Sequence, residues 1–368
     1  MANARFPLVS YQPFKLLFQL LYFGGIILQL PYFALRASVP SLRPHAAWNA
    51  KQTFMTRLAY RILDLTSRIG ITDKFTLEQG KEGQRFYIVK PSALDFYKGL
   101  LGSTKPATIG GTWFPQPPTE DIVSKTVFLY FHGGAFIQGD GRYANCGLIA
   151  KKLLDKGGAD SVFSVQYRLS GYGGLNPFPA ALQDALSSYL FLLNDLHVPA
   201  SQIVVAGDSA GANLTMALLL YLRNFGATTG VPTPRCAILL SPWVAPFYYN
   251  MDDNPHRGTD FVPASYSRWG ANNYAGNWPN ARSDPYITQL GNPFPTPVPI
   301  FANAGSAEMF YEYILQWAEE MSGVEGNIVE VHREEAAPHD TFLSAELLGF
   351  EKSAWDVATK IGKFVGKQ

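Results

Sequence analysis

An α/β fold, with a mostly parallel central sheet covered by helices on both faces, is the class that this sequence predicts, and three observations carry the prediction. From residue 127 onward, short apolar runs alternate with longer helix-like stretches, the order that right-handed strand–helix–strand crossovers require. One junction is especially informative. The apolar run Ile203-Val204-Val205-Ala206 is followed by five small residues, Gly207-Asp208-Ser209-Ala210-Gly211, and then by a helix-like stretch over 213–218, which is a strand, a tight turn and a helix in immediate succession. Finally, 368 residues exceed the usual single domain but suit one large α/β core with peripheral segments.

Taken in order, residues 16–35 (LLFQLLYFGGIILQLPYFAL) carry no charge. Twenty helical residues just span a bilayer, although Gln19, Gln29, the Gly24-Gly25 pair and Pro31 weaken a spanning reading. A secretory signal is a second reading, without a convincing small-residue cleavage site, and a hydrophobic lid over a site is a third. Arg36, Arg43, Lys51 and Arg57 follow the stretch, against Arg5 and Lys15 before it; if it spans, the bulk of the chain is cytosolic. The expectation is membrane association through residues 16–35 with the rest of the chain in the cytosol, the alternative being a soluble cytoplasmic protein.

Residues 49–71 show helical spacing of Phe54, Leu58, Ile62 and Leu65, with Lys51, Arg57, Arg61 and Arg68 between them, which predicts an amphipathic helix covering the core or lying on a membrane. Residues 85–90 read as a strand, and the Gly/Pro-rich 110–118 as a loop. Strands follow over 127–131, 161–167, 203–206, 236–240, 299–302 and 327–332, with helices over 148–154, 180–193, 310–321 and 354–365. Residues 245–280 break the rhythm, being rich in Asn, Tyr, Trp and Gly, and read as an insertion over the C-terminal edge of the sheet, where ligands bind in open α/β folds. The expected organisation is an N-terminal hydrophobic segment with cap helices over 1–80, and a main domain over 81–368 with a cap insertion at about 245–280.

Composition excludes several classes. A net charge of +1 leaves no electrostatic footprint for nucleic acid. Cys146 and Cys236 lie far apart and outside any C-x-x-C spacing, which argues against a disulfide framework or a cysteine-ligated zinc site. Aromatics make up 14% of the chain, enough to supply an apolar pocket or a membrane-facing surface as well as a thick core. Asn213-Leu214-Thr215 fits a glycosylation sequon but falls on the helix behind the turn, so it reads as coincidence.

A serine hydroxyl at 209 becomes a nucleophile only when a base takes its proton and an acid orients that base. Of the six histidines, His45 lies in the N-terminal segment, His197 in a loop, His256 in the insertion and His332 within the last strand. His132 belongs to His132-Gly133-Gly134-Ala135-Phe136. His339 remains, in the loop after the last strand, where a base must sit to meet a serine at another strand's end. The acid should lie between them just after a strand, which favours Glu308; Glu312, one helical turn on, and Asp284 are the alternatives. The glycines after His132 let backbone amides approach a developing oxyanion, so the amides of Gly133, Gly134 and Ala210 are the expected hole.

These pieces, together with Tyr167-Arg168-Leu169, the run Phe178-Pro179-Ala180-Ala181-Leu182-Gln183-Asp184-Ala185, Ser241-Pro242-Trp243, Ser283-Asp284-Pro285-Tyr286 and Pro338-His339-Asp340, resemble the hormone-sensitive-lipase-type branch of the α/β-hydrolases over about residues 125–345. The resemblance implies an α/β-hydrolase fold, a Ser209–Glu308–His339 triad, an oxyanion hole at Gly133, Gly134 and Ala210, and no metal or organic cofactor. Two departures stand out: Glu308-Met309-Phe310 replaces the family's aspartate followed by Pro-Leu, and the loop over 170–177 differs from the usual one. The activity implied is that of a serine carboxylester hydrolase, of the esterase, lipase or deacetylase kind, acting on a hydrophobic small-molecule ester. A lyase or cyclase on the same scaffold and a non-catalytic small-molecule receptor are the alternatives; the oligomeric state is open.

Overall fold

The computed structural model describes residues 7–72, 75–171, 175–248 and 253–368. Arg5, residues 172–174 of the loop after Arg168, and residues 249–252 of the insertion lie outside the described residues. In chain order the strands are β1 (Phe86–Val89), β2 (Ile109–Phe114), β3 (Val127–Phe131), β4 (Ser161–Gln166), β5 (Ile203–Asp208), β6 (Cys236–Leu240), β7 (Ile300–Gly305) and β8 (Val329–Glu334). They form one sheet in the order β1-β2-β4-β3-β5-β6-β7-β8. The pairs from β4 to β8 are parallel, whereas β1–β2 and β2–β4 are antiparallel.

The helices are α1 (Phe14–Ser38), α2 (Ala50–Ile69), α3 (Tyr143–Asp155), α4 (Ala180–Leu190), α5 (Ala210–Thr229), α6 (Ala264–Ala275), α7 (Tyr311–Ser322), α8 (Thr341–Leu348) and α9 (Glu351–Val365). Successive strand side chains point to opposite faces, and the core divides accordingly. Val127, Leu129, Phe131, Ile203, Val205, Ala237 and Leu239 pack into one buried cluster with α4 and α5. Phe128, Tyr130, Val204, Ala206, Cys236, Ile238 and Leu240 pack into another with α3 and α9. Burial on both faces is why these strands read as continuous apolar runs rather than as alternations.

Residues 110–118, expected as a loop, are in part a strand: β2 spans Ile109–Phe114 and is buried throughout. Gly110 and Gly111 gave the loop signal, but their role is to admit aromatic rings. A Cβ on Gly110 would meet the Phe86 ring at 2.2 Å, and one on Gly111 the Phe163 ring at 2.3 Å. Glycine inside a strand marks this kind of close approach as often as a turn. The 180–193 helix ends at Leu190 and continues as a π-helical turn, Phe191–Asp195. Helix α8, directly after His339, had no distinct sequence signal.

The buried carboxylate of Asp184 on α4 is met by the Arg168 guanidinium at 2.7 Å and by the Arg168 amide at 2.8 Å, which fixes the turn leaving β4. At the N-terminal end, α2 starts in a capping box, with Asn49 accepting from the Gln52 amide and Gln52 accepting from the Asn49 amide, and stops at Gly70 in the left-handed region, φ 63°. Helix α1 packs along α2, and α2 packs on α6 and α8. Asp64 ties three of these helices together: it accepts from Tyr22 Oη of α1 at 2.5 Å, from Ser265 Oγ of α6 at 2.7 Å, and from Arg68 within α2 at 2.8 Å.

Replacing Gly111 with alanine is expected to destabilise the protein by about 1–3 kcal/mol, because the Phe163 ring has to leave a filled site. Urea unfolding of the variant against the parent measures it, and an unchanged midpoint would contradict the packing role.

Candidate active site

The site is built around a backbone that cannot relax. Ser209 sits between β5 and α5 with φ 49° and ψ −113°, a conformation costly for a residue with a Cβ. Its amide donates to Leu240 O at 2.8 Å, and its carbonyl accepts from the Asn213 and Trp243 amides at 3.1 Å. The second glycine of the motif is demanded by proximity: a Cβ on Gly211 would lie 1.9 Å from Phe131 O. The turn therefore presses against the end of β3, and the Ser209 side chain is lifted to the C-terminal edge of the sheet.

His339 comes to that edge from the loop after β8, and Glu308 from the turn after β7. His339 Nε2 lies 2.9 Å from Ser209 Oγ, and His339 Nδ1 lies 2.6 Å from Glu308 Oε2. An ionised carboxylate only accepts, so Nδ1 carries the ring proton and donates to Glu308, leaving Nε2 to accept from the serine hydroxyl. Glu308 is fully buried and also accepts from the Gly305 amide at 2.9 Å. The other two acids considered from sequence lie elsewhere: Glu312 is exposed on α7, and Asp284 accepts from Trp278 Nε1 at 2.7 Å.

Burial opposes a charge on the His339 ring, but the Glu308 hydrogen bond and charge, with Asp260 and Asp208 behind them, outweigh it and hold its pKa above the ordinary histidine value. Burial pushes the Glu308 carboxyl up, and the His339 contact pulls it part of the way back.

One of the three amides expected in an oxyanion hole is already engaged. The Gly133 amide donates to Asp208 Oδ1 at 2.8 Å, which removes it from the set that the sequence assigned. The physical reason is that the Asp208 side chain turns into the start of the His132 loop, where Tyr130 Oη also donates to Oδ1. The amides of Gly134 and Ala210 make no hydrogen bond among the described residues. Ala210 is the first residue of α5, where unpaired amides and the helix dipole favour negative charge. Gly134 takes a φ of 98° that suits glycine.

Three buried groups that sequence reasoning did not single out brace the arrangement. Asp260, from the insertion before α6, accepts from the Met309 amide at 2.8 Å and the His339 amide at 3.3 Å, so it holds the residue after Glu308 and the histidine together. Asp340 follows His339 with φ 45°, and its amide donates to Ser241 Oγ at 3.0 Å. Burial and the neighbouring Asp208 charge raise the Asp340 carboxyl well above the usual carboxylate range. Asp208 was visible as the variable residue of the Gly207–Gly211 turn and Asp340 as the last residue of Pro338-His339-Asp340; Asp260 carries no local signature. Asn213 is buried and donates to Trp243 O, Ile287 O and Gln289 Oε1, so its sequon is structural coincidence.

Ser209 and His339 open into a cavity of about 240 Å³ whose apolar lining includes Leu63 of α2, Trp243, Phe261, Val262 and Phe310. A larger cavity of about 700 Å³ opens beside Ser10, Thr72, Arg168 and Leu175, and none of the groups above except the Arg168 turn borders it. Chemically, the first site can pass a proton from Ser209 Oγ to His339 Nε2.

Residues 128–343 match the family model described as alpha/beta hydrolase fold, and the chain belongs to that family. An acetyl-hydrolase of Streptomyces hygroscopicus is 37% identical over 115 residues, 31% of this chain and 35% of the relative. Esterase LipI of Mycobacterium tuberculosis is 35% identical over 126 residues, 33% of this chain and 37% of the relative. The match thus spans just over a third of the length of these curated relatives. Among solved structures, an esterase of the bacterial hormone-sensitive lipase family aligns with a TM-score of 0.60 at 20% identity over 92% of this chain and 96% of that one. A hyperthermophilic esterase from Pyrobaculum calidifontis aligns with a TM-score of 0.61 at 18% identity over 84% and 91%. At these identities the structures speak to the fold.

NMR titration of the His339 imidazole is expected to give a pKa above the ordinary value of 6.5, and Glu308→Gln to lower it, since the substitution removes the charge that favours the imidazolium. An unmoved pKa in Glu308→Gln would mean that the pair is not coupled.

Proposed function

We propose that the protein is a serine carboxylester hydrolase with Ser209 as nucleophile, His339 as general base and acid, and Glu308 as the orienting carboxylate. The observation that carries this reading is the unbroken hydrogen-bonded line from Ser209 Oγ through His339 to Glu308, placed at the wall of an apolar cavity. Ser209 Oγ attacks the ester carbonyl carbon while His339 Nε2 takes the hydroxyl proton. The tetrahedral oxyanion is held by the amides of Gly134 and Ala210. Collapse expels the alcohol, which leaves with the proton from His339, and Ser209 is left acylated. Water then attacks the acyl carbon, gives a proton to His339, and the acid leaves as Ser209 recovers its hydrogen.

The lining of the cavity supports a hydrophobic ester, and its volume of about 240 Å³ supports a short acyl or alcohol group in the pocket itself. Relatives named acetyl-hydrolase and esterase support the same reaction class. An intact serine–histidine hydrogen bond favours catalysis over a receptor role, which needs neither group. The reading includes association with a membrane through residues 16–35, supported by the outward apolar face of α1.

Ser209→Ala is expected to abolish turnover of a short-chain aryl ester and labelling by a fluorophosphonate probe, with the melting temperature retained; residual turnover at the parent rate would overturn the assignment. The neutral form of His339 is the base, so kcat/KM falls as pH drops through the His339 pKa, on the high side of 6.5. Glu308→Gln is expected to move that acid limb to lower pH and to reduce kcat by about 10³–10⁴-fold, as removal of the orienting acid does in serine hydrolases generally.

A further inference from the structure

Helix α1 is amphipathic in the wrong sense for a soluble protein. Its polar residues Lys15, Gln19, Gln29 and Arg36 are on the partly buried side, with Tyr22, Ile26 and Phe33, against α2. Its outer side carries Leu16, Leu17, Leu20, Leu21, Ile27 and Leu28, and Leu28 is 83% exposed. Soluble surface helices show the reverse pattern. A helix held along α2 by Tyr22–Asp64 and by Ser10 Oγ donating to Ile69 O at 2.6 Å is positioned to lie along a surface, and its 25 residues present about 37 Å of apolar edge.

What lies beside that edge is cationic. From residue 14 to 69 the chain has seven basic residues and a single acid, Asp64, which is already paired. Between α1, α2 and the loop before α6 there is a cavity of about 290 Å³, with Arg36, Arg57, Arg257, Thr53, Thr56 and Asp260 in its lining. Thr53 and Thr56 are 5% and 2% exposed, and their hydroxyls have no hydrogen-bond partner among the described residues. Buried hydroxyls left unpaired are uncommon and call for a ligand or water. Arg57 packs over the Phe33 and Tyr60 rings and makes no ion pair among the described residues. Burial, opposed in part by Tyr60, and the charges of Arg61 and Arg36 weaken its hold on its proton. The Asp260 carboxylate is engaged by the Met309, Phe261 and His339 amides.

We propose that this cavity is a phospholipid headgroup site: the outer face of α1 beds into the acyl region of a membrane while Arg57 and Arg36, with the Thr53 and Thr56 hydroxyls, hold a headgroup phosphate. Guanidinium forks match phosphate oxygens, hydroxyls supply further donors, and the apolar face and the cavity share one helix, so that a single approach to the bilayer engages both. Leu63 of α2 lines the Ser209 cavity, so the membrane-bound layer is also a wall of the proposed catalytic site. The inference rests on the membrane association stated under the proposed function and adds the site that selects the lipid.

The test is flotation of the full chain with vesicles of phosphatidylcholine alone and of phosphatidylcholine with one-third phosphatidic acid, read beside turnover of a water-soluble aryl acetate. The parent is expected to float with the phosphatidic acid vesicles. Arg57→Gln is expected to weaken binding about fivefold or more, and Arg57→Lys, which keeps the charge and loses the fork, to fall short of the parent. Leu20→Asp with Leu28→Asp is expected to abolish flotation, and all of these variants to keep the aryl acetate turnover, which shows them folded. Flotation lost in Leu20→Asp with Leu28→Asp but unchanged in Arg57→Gln would overturn the headgroup site while leaving the membrane reading intact. Absence of flotation, with a dimer that Leu20→Asp with Leu28→Asp dissociates, would overturn both and assign the face to a second copy of the chain. A melting temperature raised by inorganic phosphate in the parent alone, without flotation, would assign the cavity to free phosphate and overturn the lipid source.

Discussion

The close approach of the Ser209 turn to the end of β3 is the constraint on which the site depends. With Gly211 seated against Phe131 O, the α5 N-terminus, the His132 loop and the turn are a single packed unit. The left-handed Ser209 backbone costs free energy of order 1–3 kcal/mol and is held because β5 is buried between β3 and β6 and α5 is buried along most of its length. In the proposed reaction, one rigid contact fixes both the nucleophile and the amides that face a developing oxyanion. Preorganisation of that kind is what makes such donors effective, because they need not reorient as charge appears.

Around this unit the protein concentrates buried acids. Glu308, Asp260, Asp208, Asp340 and Glu334 are all buried near the C-terminal ends of the strands. Each is occupied: Glu308 with His339, Asp260 with backbone amides of two loops, Asp208 with Tyr130 and Gly133, Asp340 with the Leu343 amide, and Glu334 with Asn303 and Thr341. Burial lifts Glu334 to about 7, against the hydrogen bonds donated by Thr341 and Asn303, which pull it down. The carboxylates act as staples between loops from different strands, and the charges of Glu308, Asp260 and Asp208 favour a proton on His339.

The N-terminal helices complete the cavity from the opposite side. Asp64 joins α1, α2 and α6 through Tyr22, Arg68 and Ser265, and Leu63, its neighbour on α2, reaches the cavity wall. Asp260, close to α6, reaches His339. The layer that presents an apolar face to the outside is therefore in physical contact with the base of the site, through two residues apart in sequence by almost two hundred positions. In the proposed function, surface binding and substrate access share the same helices.

The sequence by itself determined the sheet strands from β3 onward, the Ser209 turn, and the pairing of that turn with His339 and Glu308, because each depends on a local pattern: buried strands as apolar runs, glycines at a forced close approach, and strand-end positions in chain order. It missed β2, since Gly110 and Gly111 answer to the Phe86 and Phe163 rings, partners remote in sequence. It counted the Gly133 amide into the oxyanion hole, since only the folded chain brings the Asp208 carboxylate onto it. Asp260 had no signal, because a carboxylate that braces distant backbone amides leaves no spacing to read. The apolar stretch over 16–35 fixed the existence of a helix but not its disposition. Only the tertiary structure decided which of its sides meets α2, through the Tyr22–Asp64 hydrogen bond, and so which side is left for a partner.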